Sequence, residues 1–459
     1  WELFGHSFVS AQGLLPAIRN VLKMIIKKFQ VGLYSPLLGL CAIALVNIAT
    51  PQARAEQPIL DNLVQQAASK DQATSQQAIA KLRKYKNAGV EAFWKTYEKD
   101  LPNNSQLRAT LDAIFQQKDC DASRLYWYKD LEAAKMASKE TGKPILSLRL
   151  LGNLADELSC ANSRFFRTAL YPNAEVSQLL RDRFILHWQS ERPVPKVTID
   201  FGDGRKLEQT ITGNSIHYIL DSEGRPVDAI PGLYSPQAFI ENLKDAEVVV
   251  RSLQSNDVNR REVLVNYHRD RYAKLEKKWR ADLTRLRLPL QPLLPLAVTD
   301  PKASAALASR LTVSKMMVEL PTLRRTVGEP LTELNPPSAF DKLSDANWAR
   351  LASLYQNRVY LDQGSIKLME RKISSTASMR TVVNSFEKAI AQDTVRNEYV
   401  FHAQIHNWFA KGDFVNSDSA SLNALNRRVY DQLFLTPASD PWLGLVNENI
   451  YTGISSKSE

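Results

Sequence analysis

The segment PILSLRLLGNLADELSCANSRFF, residues 144–166, joins a mostly apolar run to a cysteine that comes shortly before a second apolar group. The run Pro144–Leu151 has the length and composition of a buried β-strand, and Gly152 is expected to end it. Cys160 then occupies the position where the next helix should begin. Unsatisfied backbone amides and the positive end of the helix dipole favour a thiolate at such a position. The segment therefore predicts an α/β layer with one sulfur at its edge.

The surrounding sequence, residues 123–245, alternates short β-rich runs with helical patterns, which predicts an α/β domain. A hairpin is expected near its end, where Gly224 supplies the backbone freedom for a tight turn. A closing helix is expected to begin at Ser235-Pro236, a cap followed by a proline in the first helical position. In chain order the predicted elements are a strand at 124–128, a helix at 131–140, a strand at 144–151, a helix at 163–183, a strand at 184–188, and hairpin strands at 215–220 and 227–230.

This order of elements, with a cysteine-led helix after the second strand, resembles the thioredoxin fold. Local motifs are similar to the thioredoxin-like domain of the spermatogenesis-associated proteins and their bacterial relatives. The motifs are Trp127-Tyr128-Lys129-Asp130-Leu131, Thr141-Gly142-Lys143-Pro144-Ile145-Leu146, Arg183-Phe184, Glu191-Arg192-Pro193 and the hairpin Asp221–Gly232. The resemblance covers residues 123–243. It implies a thioredoxin-like α/β domain between an N-terminal helical module and a C-terminal all-α domain.

Two departures from the redox-active members of that superfamily bear on activity. Those members carry two cysteines separated by two residues, whereas this chain has Cys160 followed by Ser163. The proline that they place beside the thiol corresponds here to Ser215. Without a resolving sulfur, a mixed disulfide waits for an external thiol. The resemblance therefore leaves two hypotheses open: single-thiol exchange or client capture at Cys160, supported by Ser163 and Arg164, and a non-catalytic interaction or scaffold protein.

The state of Cys120 and Cys160 separates these hypotheses. A bond between them would close a loop of about 40 residues, which the chain-entropy model credits with roughly 3–4 kcal/mol. The alternatives are a reactive Cys160, with Cys120 as a distant resolving partner, and two inert thiols. The scaffold hypothesis includes the Cys120–Cys160 disulfide.

An export signal is predicted at residues 24–55, where Lys27 and Lys28 precede an apolar run and the triplet Ala-Arg-Ala follows it. The run Leu37–Val46 is shorter than the roughly 20 residues that a spanning helix needs, which favours cleavage after Ala55. Residues 1–23 are interpreted as an upstream extension. The expected location is periplasmic or extracellular, an oxidising compartment that permits disulfides.

The remaining sequence is helical in pattern. With 459 residues, 44% of them hydrophobic and 24% charged, the composition is that of a multidomain globular protein and excludes disordered or collagen-like chains. The predicted modules are a helical module at 56–119, a long basic helix at 251–287, a Pro-containing linker and helix at 288–340, and a C-terminal helical domain with an irregular tail at 341–459.

Positive charge is concentrated in the long helix, whose amphipathic part is residues 258–287. Residues 251–287 hold eleven Lys or Arg against five acids, in a chain of formal net charge +10. This pattern is typical of a solvated face, with contact to a polyanion or membrane surface as the alternative. Export argues against a nucleic-acid partner, so the expected partners are protein clients.

Glu398, His402 and His406 stand four residues apart and would share one face of a helix, where they are able to supply metal ligands. The zinc motif HExxH is absent because Ala403 follows His402. The alternative is a buried polar network that ties helices together through Asp393 and its neighbours Arg396 and Asn397. His187 and His217 are interpreted as structural histidines, and His268 is assigned to the basic helix. No cofactor motif is found, and none is expected.

Overall fold

The structure, a computed structural model, describes residues 51–255, 258–293, 343–373, 378–415, 420–440 and 443. The predicted upstream extension 1–23 and most of the predicted signal 24–55, linker 288–340 and tail lie outside these residues. The chain divides into two compact units, Trp1–Ile59 and Leu60–Glu459, and the description below concerns the second. Among the described residues, no helix is both long and apolar enough to span a membrane.

The N-terminal part of this unit is helical, as the sequence predicts. Its helices are α1 (Pro51–Ala67, of which Leu60–Ala67 belongs to this unit), α2 (Gln72–Lys84), α3 (Asn87–Tyr97) and α4 (Ser105–Phe115). The expected cap at the start of α4 is formed by Asn104, whose side chain accepts hydrogen bonds from two backbone amides of the first turn. The apolar faces form a hydrophobic cluster of their own that includes Phe93, Leu111 and Cys120.

The α/β part is built on a mixed five-stranded sheet in the order β1-β3-β2-β6-β7. β2 is parallel to β3, with Ile145 opposite Ile185, and antiparallel to β6, with Leu148 opposite His217. β1 extends the parallel edge and β7 the antiparallel edge. The strands are β1 (Trp127–Tyr128), β2 (Ile145–Leu151), β3 (Ile185–Arg192), β6 (Ile216–Leu220) and β7 (Pro226–Pro231), while β4 (Lys196–Asp200) and β5 (Lys206–Thr210) form a separate two-stranded hairpin.

The helices of this part follow the predicted positions with one difference. The helix expected at 163–183 is divided into α6 (Ala161–Phe165), a π-helical turn (Phe166–Leu170) and α7 (Ala174–Arg183). The division follows from Asn173, whose side chain caps α7 by accepting the amide of Val176 and so starts a new helix. The other two helices are α5 (Leu131–Thr141) and α8 (Pro236–Ser252), which Ser235 caps as expected.

The C-terminal half is helical, and it shares one hydrophobic cluster with the sheet. The sequence predicts a separate C-terminal domain here, but buried side chains run continuously from Leu125 in the α/β part to Leu435 near the end of the described chain. The elements are α9 (Arg260–Arg285), α10 (Asp345–Ser353), α11 (Gln363–Lys372), α12 (Met379–Arg396), a π-helical turn (Asn397–His402), α13 (Ala403–Ala410), α14 (Ala420–Arg428) and a π-helical turn (Val429–Leu433).

Candidate functional site

Cys160 lies where the sequence places it, as the N-cap residue of α6 directly after the loop that follows β2. Its Sγ lies 3.2 Å from Oγ of Ser215, the residue that precedes β6, so the predicted pairing of these two positions is present. The side chain of Cys160 has no exposed surface. A disulfide-bonded client therefore cannot reach this sulfur in the described conformation.

Two parts of the chain bury the side chain of Cys160: the loop before β6 and the last π-helical turn. Gly213 lies against this side chain so closely that an added Cβ would stand 2.7 Å from Cβ of Cys160. The next residue, Asn214, accepts a hydrogen bond on its backbone carbonyl from the hydroxyl of Tyr430, at 3.0 Å. Since Tyr430 belongs to the last π-helical turn, the C-terminal helices help to close the cysteine site.

The two predicted supporting side chains do not act on the sulfur. The hydroxyl of Ser163 lies 2.5 Å from the hydroxyl of Ser159 and 2.9 Å from the backbone carbonyl of Cys160. Arg164 donates to Oγ1 of Thr210 at 3.0 Å. Ser163 thus bonds back to the backbone carbonyl three residues earlier and not to the thiol, because the carbonyl oxygen is the stronger acceptor.

The predicted disulfide between Cys120 and Cys160 is not formed in the structure, where both are free and buried. Cys120 packs in the cluster of the N-terminal helices, whereas Cys160 packs in the cluster of the sheet. The backbone amide of Cys120 donates to Asp112 at 3.0 Å. Burial and the adjacent Asp112 carboxylate raise the pKa of the Cys120 thiol well above its ordinary value. Cys120 is therefore a poor resolving nucleophile.

A second group of polar side chains lies where β7 and α9 pack against the π-helical turn Asn397–His402 and α13. One ligand-type atom from each of Asp228, His268 and His406 lies within 4.8 Å of the others, and all three side chains are buried. His402 and Glu398 adjoin them, and we call these five residues the histidine cluster. The sequence predicts only Glu398, His402 and His406 as a group.

His402 lies between two carboxylates. Its Nε2 is 3.2 Å from Oδ1 of Asp228, and its Nδ1 is 3.5 Å from Oε2 of Glu398. Burial opposes a charged ring, but the Asp228 and Glu398 carboxylates outweigh burial and raise the pKa of His402 to about 9. Burial also disfavours the charged form of Glu398, which acts to raise its pKa. The hydrogen bond and positive charge of His402 outweigh burial and lower the pKa of Glu398 to about 2. His402 is thus an imidazolium ion that joins two carboxylates.

His268 and His406 are held differently. Nε2 of His268 lies 2.9 Å from the backbone carbonyl of Val227, and its Nδ1 lies 2.8 Å from Nδ1 of His406. Burial lowers the pKa of His268 to about 4, and burial together with the neighbouring His402 charge lowers the pKa of His406 well below its ordinary value. Both rings are neutral at neutral pH.

Comparison with protein-family models, curated proteins and solved structures finds no match to this chain. The sites are therefore interpreted from their own geometry.

Asp228 and His268 belong to the histidine cluster but are not among the metal ligands that the sequence predicts. Each is nevertheless a polar residue in an apolar stretch, which is visible in the sequence. Asp228 interrupts an otherwise apolar strand, PVDAIP, and His268 stands four residues after Leu264 and seven before Leu275 on the buried face of α9. A polar residue on an apolar face predicts a buried partner, although it does not say which one.

The polar network that was the alternative to a metal site is also present. Asn397 donates to the backbone carbonyl of Leu233 at 2.7 Å, and Arg396 pairs with Asp345. His187 and His217, which the sequence interprets as structural, lie outside the cluster and bond to hydroxyls: His187 pairs with Ser147 at 2.8 Å, and His217 pairs with Tyr171 at 2.7 Å.

Two cavities lie near these sites. One, of about 230 Å³, is lined by Glu398, Arg271 and other charged side chains, and so adjoins the histidine cluster. The other, of about 710 Å³, is mostly apolar and opens beside Phe165 of the cysteine-led helix and Phe386 of α12.

Proposed function

We propose that this chain is a non-catalytic interaction or scaffold protein built on a thioredoxin-like domain, with protein partners. The burial of the Cys160 sulfur against Ser215 carries the proposal. Thiol–disulfide exchange requires an accessible thiolate that attacks a partner sulfur. A thiol enclosed by Gly213 and the segment that Tyr430 holds does not meet this requirement.

The sheet supports the thioredoxin-like part of the proposal. It is a mixed five-stranded sheet with two parallel pairs followed by two antiparallel pairs, and its strands and helices alternate along the chain as the resemblance implies. The position of Cys160 at a helix start and of Ser215 beside it agrees with the same resemblance.

The proposal also includes export through the signal predicted at 24–55. It favours protein partners over a polyanion for α9, because two of the helix's cations are engaged within the chain. Arg260 pairs with Asp221 at 2.6 Å, and Arg271 pairs with Asp245. Their charge is therefore partly neutralised before any partner arrives.

The test uses the exported protein, from which cleavage after Ala55 has removed Cys41, and measures by intact mass the rate at which each remaining thiol reacts with an alkylating reagent. We expect both Cys120 and Cys160 to remain unmodified under conditions that fully alkylate glutathione, and both to react after denaturation without reductant. A bond between the two would instead leave no reactive thiol in denaturant, which would remove the free-thiol part of the proposal.

Catalysis is tested by reduction of a disulfide-bonded protein such as insulin, with glutathione as the electron source. We expect the wild type, Cys160→Ser and the matched control Cys120→Ser to equal the uncatalysed rate. A wild-type rate above background that Cys160→Ser abolishes and Cys120→Ser preserves would establish single-thiol exchange instead and overturn the proposal.

A further inference from the structure

The histidine cluster contains a set of atoms that converge without an assigned role. Asp228 comes from β7, His268 from α9 and His406 from α13, and none is more than 1% exposed. Ligands of one tetrahedral zinc ion, bound at about 2.0–2.2 Å, lie about 3.3–3.6 Å apart. The three atoms lie within 4.8 Å of one another, so a contraction of up to about 1.5 Å brings them to bonding distance.

The hydrogen bonds of His268 fix which of its nitrogens is available. A carbonyl oxygen only accepts hydrogen bonds. Nε2 of His268 therefore carries a proton and donates a hydrogen bond to the carbonyl of Val227. Nδ1 is then unprotonated and accepts the hydrogen bond from Nδ1 of His406. A ring N–H bonded to a backbone carbonyl, with the other nitrogen unprotonated, is the usual arrangement of a metal-binding histidine.

His406 has a ring nitrogen without a partner. Its Nδ1 serves as donor to His268, while its buried Nε2 has no hydrogen-bond partner among the described residues. A buried polar atom in this condition carries a desolvation cost that a bound ion can relieve.

The carboxylate of Asp228 is held by three neighbouring groups, one of which is Nε2 of His402, 3.2 Å from Oδ1. The hydroxyl of Tyr267 donates to its Oδ2 at 2.7 Å, and the backbone amide of Ala229 donates to its Oδ1 at 2.8 Å. Such contacts orient a metal-binding carboxylate and are themselves part of metal sites.

We propose that Asp228, His268 and His406 form a binding site for one divalent transition-metal ion of the zinc class. Two imidazole nitrogens and one carboxylate oxygen suit zinc or cobalt, whereas magnesium and calcium prefer oxygen ligands alone. The ion displaces the hydrogen bond that Nδ1 of His268 accepts from His406, binds His406 through the unpartnered Nε2, and joins β7 to α9 and α13. His402 is not a ligand, since both of its nitrogens face carboxylates. The inference is independent of the proposed function because it uses a different cluster.

The experiment uses the untagged full chain, stripped with a chelator, incubated with zinc chloride, desalted and analysed by elemental mass spectrometry. We expect one zinc per chain in the wild type. His268→Gln and His406→Gln should lose that zinc, and the matched control His187→Gln, a buried histidine outside the cluster, should retain it. The absence of zinc from the wild type, or its retention by His268→Gln, would overturn the proposal.

A second measurement needs no variant and so does not depend on whether a substituted chain folds. X-ray absorption by the zinc-loaded wild type should show two imidazoles and an oxygen ligand, without sulfur. A sulfur ligand, or a shell of oxygen alone, would place the ion elsewhere and contradict the assignment. Tyr267→Phe should weaken zinc binding about 10- to 100-fold, as loss of an outer contact does.

Discussion

His187 and His217 are single residues whose burial has a measurable consequence. Both rings lie inside the sheet layer, each with one hydrogen bond to a hydroxyl. Burial lowers the pKa of each to about 3. In the unfolded chain a histidine titrates near its ordinary pKa of about 6.5. Between these values the unfolded chain binds protons that the folded chain does not.

We therefore expect the free energy of unfolding to fall as the pH drops from about 6.5 towards 3. The stabilisation from a neutral buried histidine is complete above the unfolded pKa and is lost as the pH falls through this window, by up to about 1.4 kcal/mol per pH unit. Urea unfolding at a series of pH values measures the slope. His187→Gln should reduce the slope of the free energy of unfolding against pH by the contribution of one histidine. An unchanged slope in this variant would contradict the expectation.

At the scale of elements, Gly213 in the loop before β6 packs against Cys160 at the start of α6. This contact leaves no room for a side chain at residue 213. Gly213 has φ of +124°, and an added Cβ would meet Cβ of Cys160. Gly142, which ends α5 at φ of +71°, has open space around the same position. The two glycines thus share a positive φ but differ in packing.

Gly213→Ala should therefore destabilise the protein more than Gly142→Ala. Both substitutions impose a strained backbone, at roughly 1–2 kcal/mol, and only Gly213→Ala adds overpacking of about 1–3 kcal/mol. Urea unfolding of the two variants beside wild type gives the difference. Equal losses would mean that the segment moves away from Cys160 without cost.

The sequence predicts the elements because their signals are local. Proline after Ser235 starts α8, Gly224 turns the hairpin, and the apolar run before Gly152 forms β2. The closure of Cys160 is not local, since it depends on Tyr430, which comes 270 positions later by residue number. The grouping of Asp228 with His406 is equally remote along the chain. Residues that meet only in the folded protein show no characteristic spacing in a single sequence.

At the scale of the whole molecule, two hydrophobic clusters divide the described part of Leu60–Glu459. The smaller belongs to the N-terminal helices and contains Cys120, and the larger joins the sheet to the C-terminal helices and contains Cys160. Hydrogen bonds connect the two, including Arg83 to the carbonyl of Trp127 at 3.0 Å and Trp188 to the carbonyl of Gln116 at 2.8 Å.

We expect the smaller cluster to open first, because stability rises with the apolar surface that a cluster buries. The two thiols report on the two clusters separately. Brief alkylation at increasing urea, read by peptide mass, should modify Cys120 at a lower concentration than Cys160. Coincident labelling would show that the clusters unfold as one cooperative body.

The π-helical turn Asn397–His402 places one extra residue between α12 and α13, because a π turn holds one residue more than an α turn. Deleting a single residue there would restore regular α winding and leave the rotational position of α13 unchanged, so His406 would still face His268. Deleting one residue from the regular part of α13 before His406 would instead rotate His406 by about 100° around the helix axis. Among divergent copies of this chain, a one-residue gap is therefore compatible with the histidines at the π turn and incompatible with them inside α13.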